Sequence, residues 1–334
     1  MHKVLHAPIE IAGQVGLICE YLKKLGHHAV GYNYFQTYLN YEGSIIHTDL
    51  YQLQKLFDAA LHHFNIFHFH NSYTFFSDFR DLPMLKDAGI KMVMHHRGND
   101  VRFSDKARKG DSYSNPYAYT GSSFPDAAIH HNLQQFSKYM SAVIVQDYEL
   151  YHYVKDYYPK VHVLPRLIDT DKLKPIYPHS DLKKPLIVHA PTDREFKGSE
   201  FIEKAISDLK EKYSFEYVRI ENKSHEEAKR LYREADLVID QIRCGAFGNV
   251  SVEAMALGKP VVAYIREDLV DTYPGKLPIV SANPDTIRRV LRRLIKNRDE
   301  LHDIGRRGRK YVEKHHRADI VAKQLVDIYD SITD

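Results

Sequence analysis

The sequence predicts an α/β fold made of two successive open units, each a parallel sheet flanked by helices. Three observations carry this. Short β-rich apolar runs alternate with longer helical patterns along the chain. At 334 residues the chain is too long for one ordinary core, so two domains are expected. A polar stretch over Pro165–Lys184, with Pro175 and Pro178 inside it and Pro185 at its end, reads as a linker between them.

In the first half, Lys3–His6 reads as a strand and Val15–Leu25 as an amphipathic helix closed by Gly26 at its C′ position. Asn65–His70 and Ile90–Met94 are expected strands with a short helix, Leu82–Ala88, between them. Ala142–Gln146 and Val161–Leu164 are the last two strands of this half. Lys106–Ser123, rich in Gly, Ser and Tyr, reads as a long loop of the kind used for lids or ligand contacts. After the linker the pattern restarts with strand Leu186–His189, helix Ser199–Lys212 and strand Glu216–Ile220. Ser224 with Glu227 forms a capping box that opens the helix Glu226–Glu234. Leu237–Asp240 and Pro260–Ile265 are strands around a helix that includes Glu253–Leu257. The last fifty residues are helical, with starts near Pro284, Arg298 and Ala318.

Apolar content of 43% and charged content of 27% are those of a soluble globular protein. No apolar run reaches the roughly 18–20 residues that span a bilayer, and Met1 leads straight into strand-like sequence, so no signal peptide is expected. With only Cys19 and Cys244, a disulfide framework is not expected and a reducing, cytoplasmic setting fits. A net charge of +3 is too small to argue for nucleic acid. Basic residues concentrate at Arg288-Arg289, Arg292-Arg293 and Arg306–Lys310. These are either a solvated helix face or an attraction to an anionic acceptor or membrane surface, so peripheral membrane contact stays open.

The most informative segment runs from Asp240 to Tyr264. A buried strand ends at Asp240, a loop containing Gly245 and Gly248 follows, and a helix starts near Asn249 and stops at Gly258 before another buried strand. The glycines let backbone approach a ligand closely, and the helix start aims unsatisfied N–H groups at it, which suits a diphosphate. Glu253, one turn into the helix, can accept two hydrogen bonds from a vicinal diol such as ribose.

Phe247-Gly248, Glu253-Ala254-Met255-Ala256 and Gly258-Lys259-Pro260-Val261-Val262 resemble the donor-site signature of glycosyltransferase family 4. The resemblance extends over nearly the whole chain. His189-Ala190-Pro191 with Lys197-Gly198, Val163-Leu164-Pro165 with Ile168-Asp169, and Ala235-Asp236 match flanking features. It implies the GT-B fold, two Rossmann-like domains facing across a central cleft. Residues 1–170 would bind the acceptor and residues 171–317 the nucleotide-sugar donor, with a final helix near 318–334 packing back on the first domain.

The resemblance also implies a retaining transfer that needs no metal or other cofactor. A hexose-type sugar would move from a nucleoside-diphosphate sugar, UDP above all, to a hydroxyl of a glycan, lipid-linked or small-molecule acceptor, as in polysaccharide biosynthesis. Lys197 would neutralise the donor diphosphate. Where the family has its usual arginine this chain has Thr192, and Arg194 is the expected substitute. The first Glu of the family's Glu-x7-Glu motif is replaced by Gly245, which leaves Asp240 or Gln241, or loop N–H groups, to contact the sugar. Gly245, Phe247, Gly248, Asn249, Val250 and Glu253 complete the expected donor site, with Gly13 reaching it from the first half. Met94-His95-His96-Arg97-Gly98-Asn99-Asp100 resembles the family's His-Gly-x-Asp stretch, which implies a sugar-contacting or catalytic role for His96 or Arg97.

Two further groups of residues invite a functional reading. His62-His63, His68 and His70 suggest a metal, but without a cysteine partner or an H-E-x-x-H pattern they are expected to be scattered packing and surface histidines. Tyr113, Tyr117 and Tyr119 offer stacking faces for a sugar, or ordinary packing. The rival readings of the chain are a nucleotide-sugar epimerase or phosphorylase on the same fold and a non-catalytic sugar-nucleotide or polysaccharide binder.

Overall fold

The computed structural model describes residues 1–41, 43–108, 115–116, 120–121, 124–179 and 181–333. Tyr113, Tyr117 and Tyr119 lie outside these residues. The chain divides into two compact units. One comprises Met1–Phe103, Ser123–Leu167 and Ala318–Asp334, and the other Ser104–Ser122 and Ile168–Arg317.

The first unit is a parallel sheet of β1 (Lys3–Ala7), β2 (His28–Asn33), β3 (Ile46–His47), β4 (Ile66–His70), β5 (Lys91–His95), β6 (Ala142–Val145) and β7 (His162–Val163). The spatial order is β3-β2-β1-β4-β5-β6-β7. The order therefore reverses between β1 and β4, whose register pairs His6 with His68 and Ala7 with Phe69. On one face, Val15, Ile18 and Leu22 of the helix Gln14–Lys24 share a core with Val321, Leu325 and Tyr329 of the final helix, Ala318–Thr333. That helix is last in sequence yet buried in the first unit because its apolar stripe, not chain order, decides where it packs.

The second unit repeats the design with β8 (Leu186–His189), β9 (Glu216–Arg219), β10 (Leu237–Ile239), β11 (Val261–Ala263) and β12 (Val280–Ser281), all parallel, in the order β12-β11-β10-β8-β9. Here the order reverses between β8 and β10, where His189 pairs with Ile239. Both sheet faces are covered, one by a core around Val188, Val238, Met255 and Val312, the other around Ile187, Ile206, Leu291 and Leu294.

Several elements differ from the sequence reading. The β2 strand was not foreseen because Gly31 inside it weakens the strand pattern. A Cβ there would lie 3.0 Å from Val15 Cγ1, so helix and strand approach closely at this point. Helices Leu50–Lys55, Phe57–His63, Asp126–Tyr139 and Tyr148–Val154 were also not foreseen. The expected linker is not free chain: Ile168 and Leu173 pack on the second core, and Ile176 N donates to Leu257 O at 2.9 Å. Residues 104–122, read as a loop of the first half, group with the second unit, where buried Asn115 donates to Cys244 Sγ at 3.7 Å.

A glycine contact makes a test of this packing. A Cβ on Gly305 would collide with the carbonyl oxygen of Gly258. Gly305→Ala should therefore destabilise the protein by about 2–3 kcal/mol, as overpacking does, read as a lower denaturant midpoint. An unchanged midpoint would show that this helix contact is looser than described.

Candidate functional site

In open parallel sheets, ligands bind outside the carboxyl ends of the strands where strand order reverses. In the second unit that point lies between β8 and β10, and chemically distinctive side chains gather there. The chain leaving β8 forms a short helix, Arg194–Lys197, capped by Asp193, whose carboxylate accepts from Phe196 N. Gly198, at φ +77°, then turns the chain into the helix Ser199–Lys210; a Cβ there would meet Ile242 Cγ1 at 2.7 Å. This turn carries Lys197, only 8% exposed, to the end of β10.

Lys197 Nζ donates to Asp240 Oδ1 at 2.7 Å and to Gln241 Oε1 at 2.8 Å. Asp240 Oδ2 accepts from Gly248 N and from Ser251 Oγ, both at 2.7 Å. Gln241 in turn donates to Ala246 O, bracing the loop. Burial alone would raise the Asp240 pKa, but the Lys197 charge and the hydrogen bonds outweigh it and hold the carboxyl below its ordinary value. An ammonium has three donors; two are used here, leaving one for a ligand. Gly248 leaves this pair close to the backbone: a Cβ would press on it, at 3.0 Å from Asp240 Oδ2 and 3.2 Å from Lys197 Nζ.

The helix Asn249–Ala256 starts at this cluster; Ser251 N donates to Gly248 O at 3.2 Å, while the N–H groups of Asn249 and Val250 have no partner within the helix. One turn along it, Glu253 Oε1 lies 2.6 Å from His225 Nε2. His225 is the first residue of the helix that Ser224 and Glu227 cap reciprocally. Sequence reasoning found the cap but not His225, because the pair spans 28 positions and no local pattern marks it.

Other expected donor residues are placed differently. Arg194 does not join the cluster: its guanidinium is half-exposed and bonds Glu203 Oε2 at 3.0 Å, with Glu221 at 3.7 Å. Phe247 is a core residue against Tyr273 and His316, and Val250 packs on the same core. Gly245 has φ +85°, and a Cβ would approach Arg266 Cβ at 2.9 Å, so a carboxylate side chain has no room there.

The first unit has its own constellation at the β1/β4 reversal. Gly13, at φ +72°, precedes the helix Gln14–Lys24, but the helix start is already filled. Glu10 Oε1 accepts from Val15 N at 3.1 Å and Oε2 from Gly16 N at 2.8 Å. Burial raises the Glu10 carboxyl above its ordinary pKa despite these bonds. The loop after β5 is organised by buried Asp100, which accepts from Arg97 N, Gly98 N and Ser72 Oγ and lies 2.7 Å from His96 Nδ1. His96 Nε2 contacts the Tyr158 hydroxyl at 3.1 Å. Both His96 nitrogens are therefore occupied, whereas the buried Arg97 side chain keeps an unpartnered Nε.

His62 and His63 are surface residues as expected, but the strand histidines are not scattered. The β1/β4 and β4/β5 registers bring His6, His68, His70 and His95 into one fully buried group, and one nitrogen from each of the first three lies within 4.8 Å of the others. A period-two pattern in β4 and the His6↔His68 pairing produce this convergence, and only the pairing is invisible in the sequence. Burial, with help from the Arg97 charge, drives the His6 pKa down to about 3 and holds His68, His70 and His95 well below the ordinary value. His68 Nε2 and both His95 nitrogens have no hydrogen-bond partner.

These histidines make stability depend on pH. Their folded pKa values are below the unfolded value of 6.5, so the unfolded chain binds more protons as pH falls. Stability is complete above pH 6.5 and declines below it, by about 1.4 kcal/mol per pH unit for each such histidine. Denaturant titrations at pH 7, 6 and 5 should show this decline, with a shallower slope in His95→Asn; a flat profile would mean the cluster is solvated.

Known proteins were compared with the chain. The family model for glycosyl transferases group 1 matches residues 216–311. An uncharacterized glycosyltransferase of Methanocaldococcus jannaschii is 30% identical over 96 residues, which span 28% of this chain and 27% of that protein. Sucrose-phosphate synthase from Thermosynechococcus elongatus superposes with a TM-score of 0.66 at 12% identity, covering 100% of this chain and 99% of that one. HepE of Anabaena in complex with UDP-glucose does so with a TM-score of 0.68 at 12% identity, covering 99% of this chain and 100% of that one. The chain has the GT-B fold of these glycosyltransferase structures, and a segment of its second unit is similar to the glycosyl transferases group 1 family.

Proposed function

We propose that the protein is a retaining glycosyltransferase that moves a hexose-type sugar from a nucleoside-diphosphate sugar, UDP-linked first of all, to an acceptor hydroxyl. The observation that carries this reading is the grouping at the second switch point: Lys197, Asp240, Gln241 and the helix start at Gly248, with Glu253 one turn further on. The group 1 match covers most of the same region, and HepE, on the same fold, was solved with UDP-glucose.

In this reading the remaining Lys197 N–H and the N–H groups opening the helix at Asn249 hold the diphosphate, where negative charge grows as the glycosidic bond breaks. Asp240 keeps Lys197 aimed at the helix start. Glu253, held by His225, accepts hydrogen bonds from the ribose diol. The acceptor hydroxyl attacks from the face the nucleotide leaves, and its proton passes to the departing diphosphate. No metal is assigned a part, because the cation and helix start together supply the positive field.

Lys197→Ala should lower turnover by about 10²–10³, the loss seen when one preorganised electrostatic donor is removed. Glu253→Gln should weaken nucleotide binding roughly tenfold with a smaller effect on turnover. Thermal stabilisation by UDP-, GDP- and ADP-sugars identifies the base, and chelator should leave activity unchanged. The reading is overturned if no sugar nucleotide stabilises the protein, or if the sugar is altered with donor alone and no acceptor ever becomes glycosylated.

A further inference from the structure

We infer that the first unit carries a preset anion-binding site centred on Arg97, at its own strand-order reversal, and that the acceptor therefore presents a phosphate or carboxylate group. The assignment of the anion to the acceptor rests on the proposed transferase reading; the site itself does not.

Arg97 is a poorly satisfied buried cation. It is 9% exposed, its Nε has no partner, and its side-chain hydrogen bond runs from Nη2 to His70 Nδ1 at 3.3 Å. No carboxylate among the described residues forms an ion pair with it. The two nearby carboxylates are engaged elsewhere: Glu10 on Val15 N and Gly16 N, Asp100 on His96, Ser72 and two backbone N–H groups. A guanidinium presents a planar fork that matches phosphate and carboxylate oxygens, and in a water-poor setting such a bond is strong.

The histidines explain why Arg97 stays in place. A guanidinium only donates, so His70 Nδ1 must accept and His70 Nε2 must carry the proton. That proton points to His6 Nδ1 at 3.1 Å, which places the His6 proton on Nε2, facing the Tyr329 hydroxyl at 3.4 Å. The hydroxyl then donates to His68 Nδ1 at 2.7 Å. The result is a one-way chain of neutral groups from Arg97 to the final helix. His70, His6 and Tyr329 are positioning residues for Arg97.

The same directionality argues against the other use of this cluster. A divalent ion shared by His6, His68 and His70 would take either the His70 Nδ1 lone pair that Arg97 uses or the Nε2 lone pair, which puts a proton on Nδ1 against the Arg97 donor. It would also place a second positive charge beside a buried guanidinium.

The test uses the full-length protein and the Nε–H signal of Arg97 in nitrogen-proton NMR, assigned by its loss in Arg97→Lys. Inorganic phosphate, glucuronate and neutral glucose are titrated separately, and UDP-sugar stabilisation is measured in parallel. The expected result is a saturable shift with phosphate, glucuronate or both and none with glucose. Phosphate alone points to a phosphorylated acceptor, glucuronate alone to an acidic sugar. Arg97→Lys should weaken anion binding about tenfold and Tyr329→Phe about threefold. Imidazole nitrogen shifts should show neutral Nε2–H tautomers for His6, His68 and His70 from pH 5 to 8.

The inference is overturned by an Arg97 signal indifferent to both anions, by the opposite tautomers, or by stoichiometric zinc that His68→Ala releases. Loss of UDP-sugar stabilisation with anion binding intact would instead overturn the transferase reading alone.

Discussion

The buried carboxylate of Asp240 is the constraint on which the second unit's site depends. It is 2% exposed and accepts hydrogen bonds from a lysine on the loop after β8, a backbone N–H at the next helix start and a serine inside that helix. The loop after β8 and the start of the next helix, distant from it in sequence, are thus pinned to one group. Such a pair contributes little net stability when intact, but removing one partner costs about 3–5 kcal/mol because the other charge is left buried alone. Its value is positional: Lys197 is held at the helix start, and the absence of a side chain on Gly248 leaves the pair undisturbed there.

The first unit meets a similar demand with neutral groups. Asp100 ties the loop after β5 to itself and to His96, while His70 and His6 pass one hydrogen-bond direction to Tyr329, which donates to His68. Neutral imidazoles avoid the desolvation cost of charge in the sheet's interior. The cost instead appears as unpaired nitrogens on His68 and His95, about 1–3 kcal/mol for each buried polar group left unbonded. The unit accepts strain of this kind near the end of β5 and the Arg97 loop, consistent with a site rather than with packing alone.

The departures from the family signature have separate explanations. Gly245 is forced by its left-handed backbone and by Arg266 packed over it, so a carboxylate could not be retained there. Thr192 is exposed and nothing in the structure explains it. Arg194, the expected replacement, is drawn to Glu203 and Glu221. In the basic run near residue 306, Arg309 is no surface charge: it donates to the carbonyls of Leu173, Ala256 and Thr170.

The sequence by itself determined the two α/β halves, the strand–loop–helix segment from Asp240 to Gly258, and the Ser224 cap. Each depends on residues close together in the chain, whose periodicity, glycines and capping side chains act locally. What the tertiary structure decided was convergence. His225 meets Glu253, Lys197 meets Asp240 and Gln241, and four histidines face Arg97 and Tyr329 because strand order and register bring them together. Register is set by packing along whole strands, so no short pattern encodes which side chains become neighbours. Asp240, legible in sequence only as the end of a strand, became through that register the group around which the site is built.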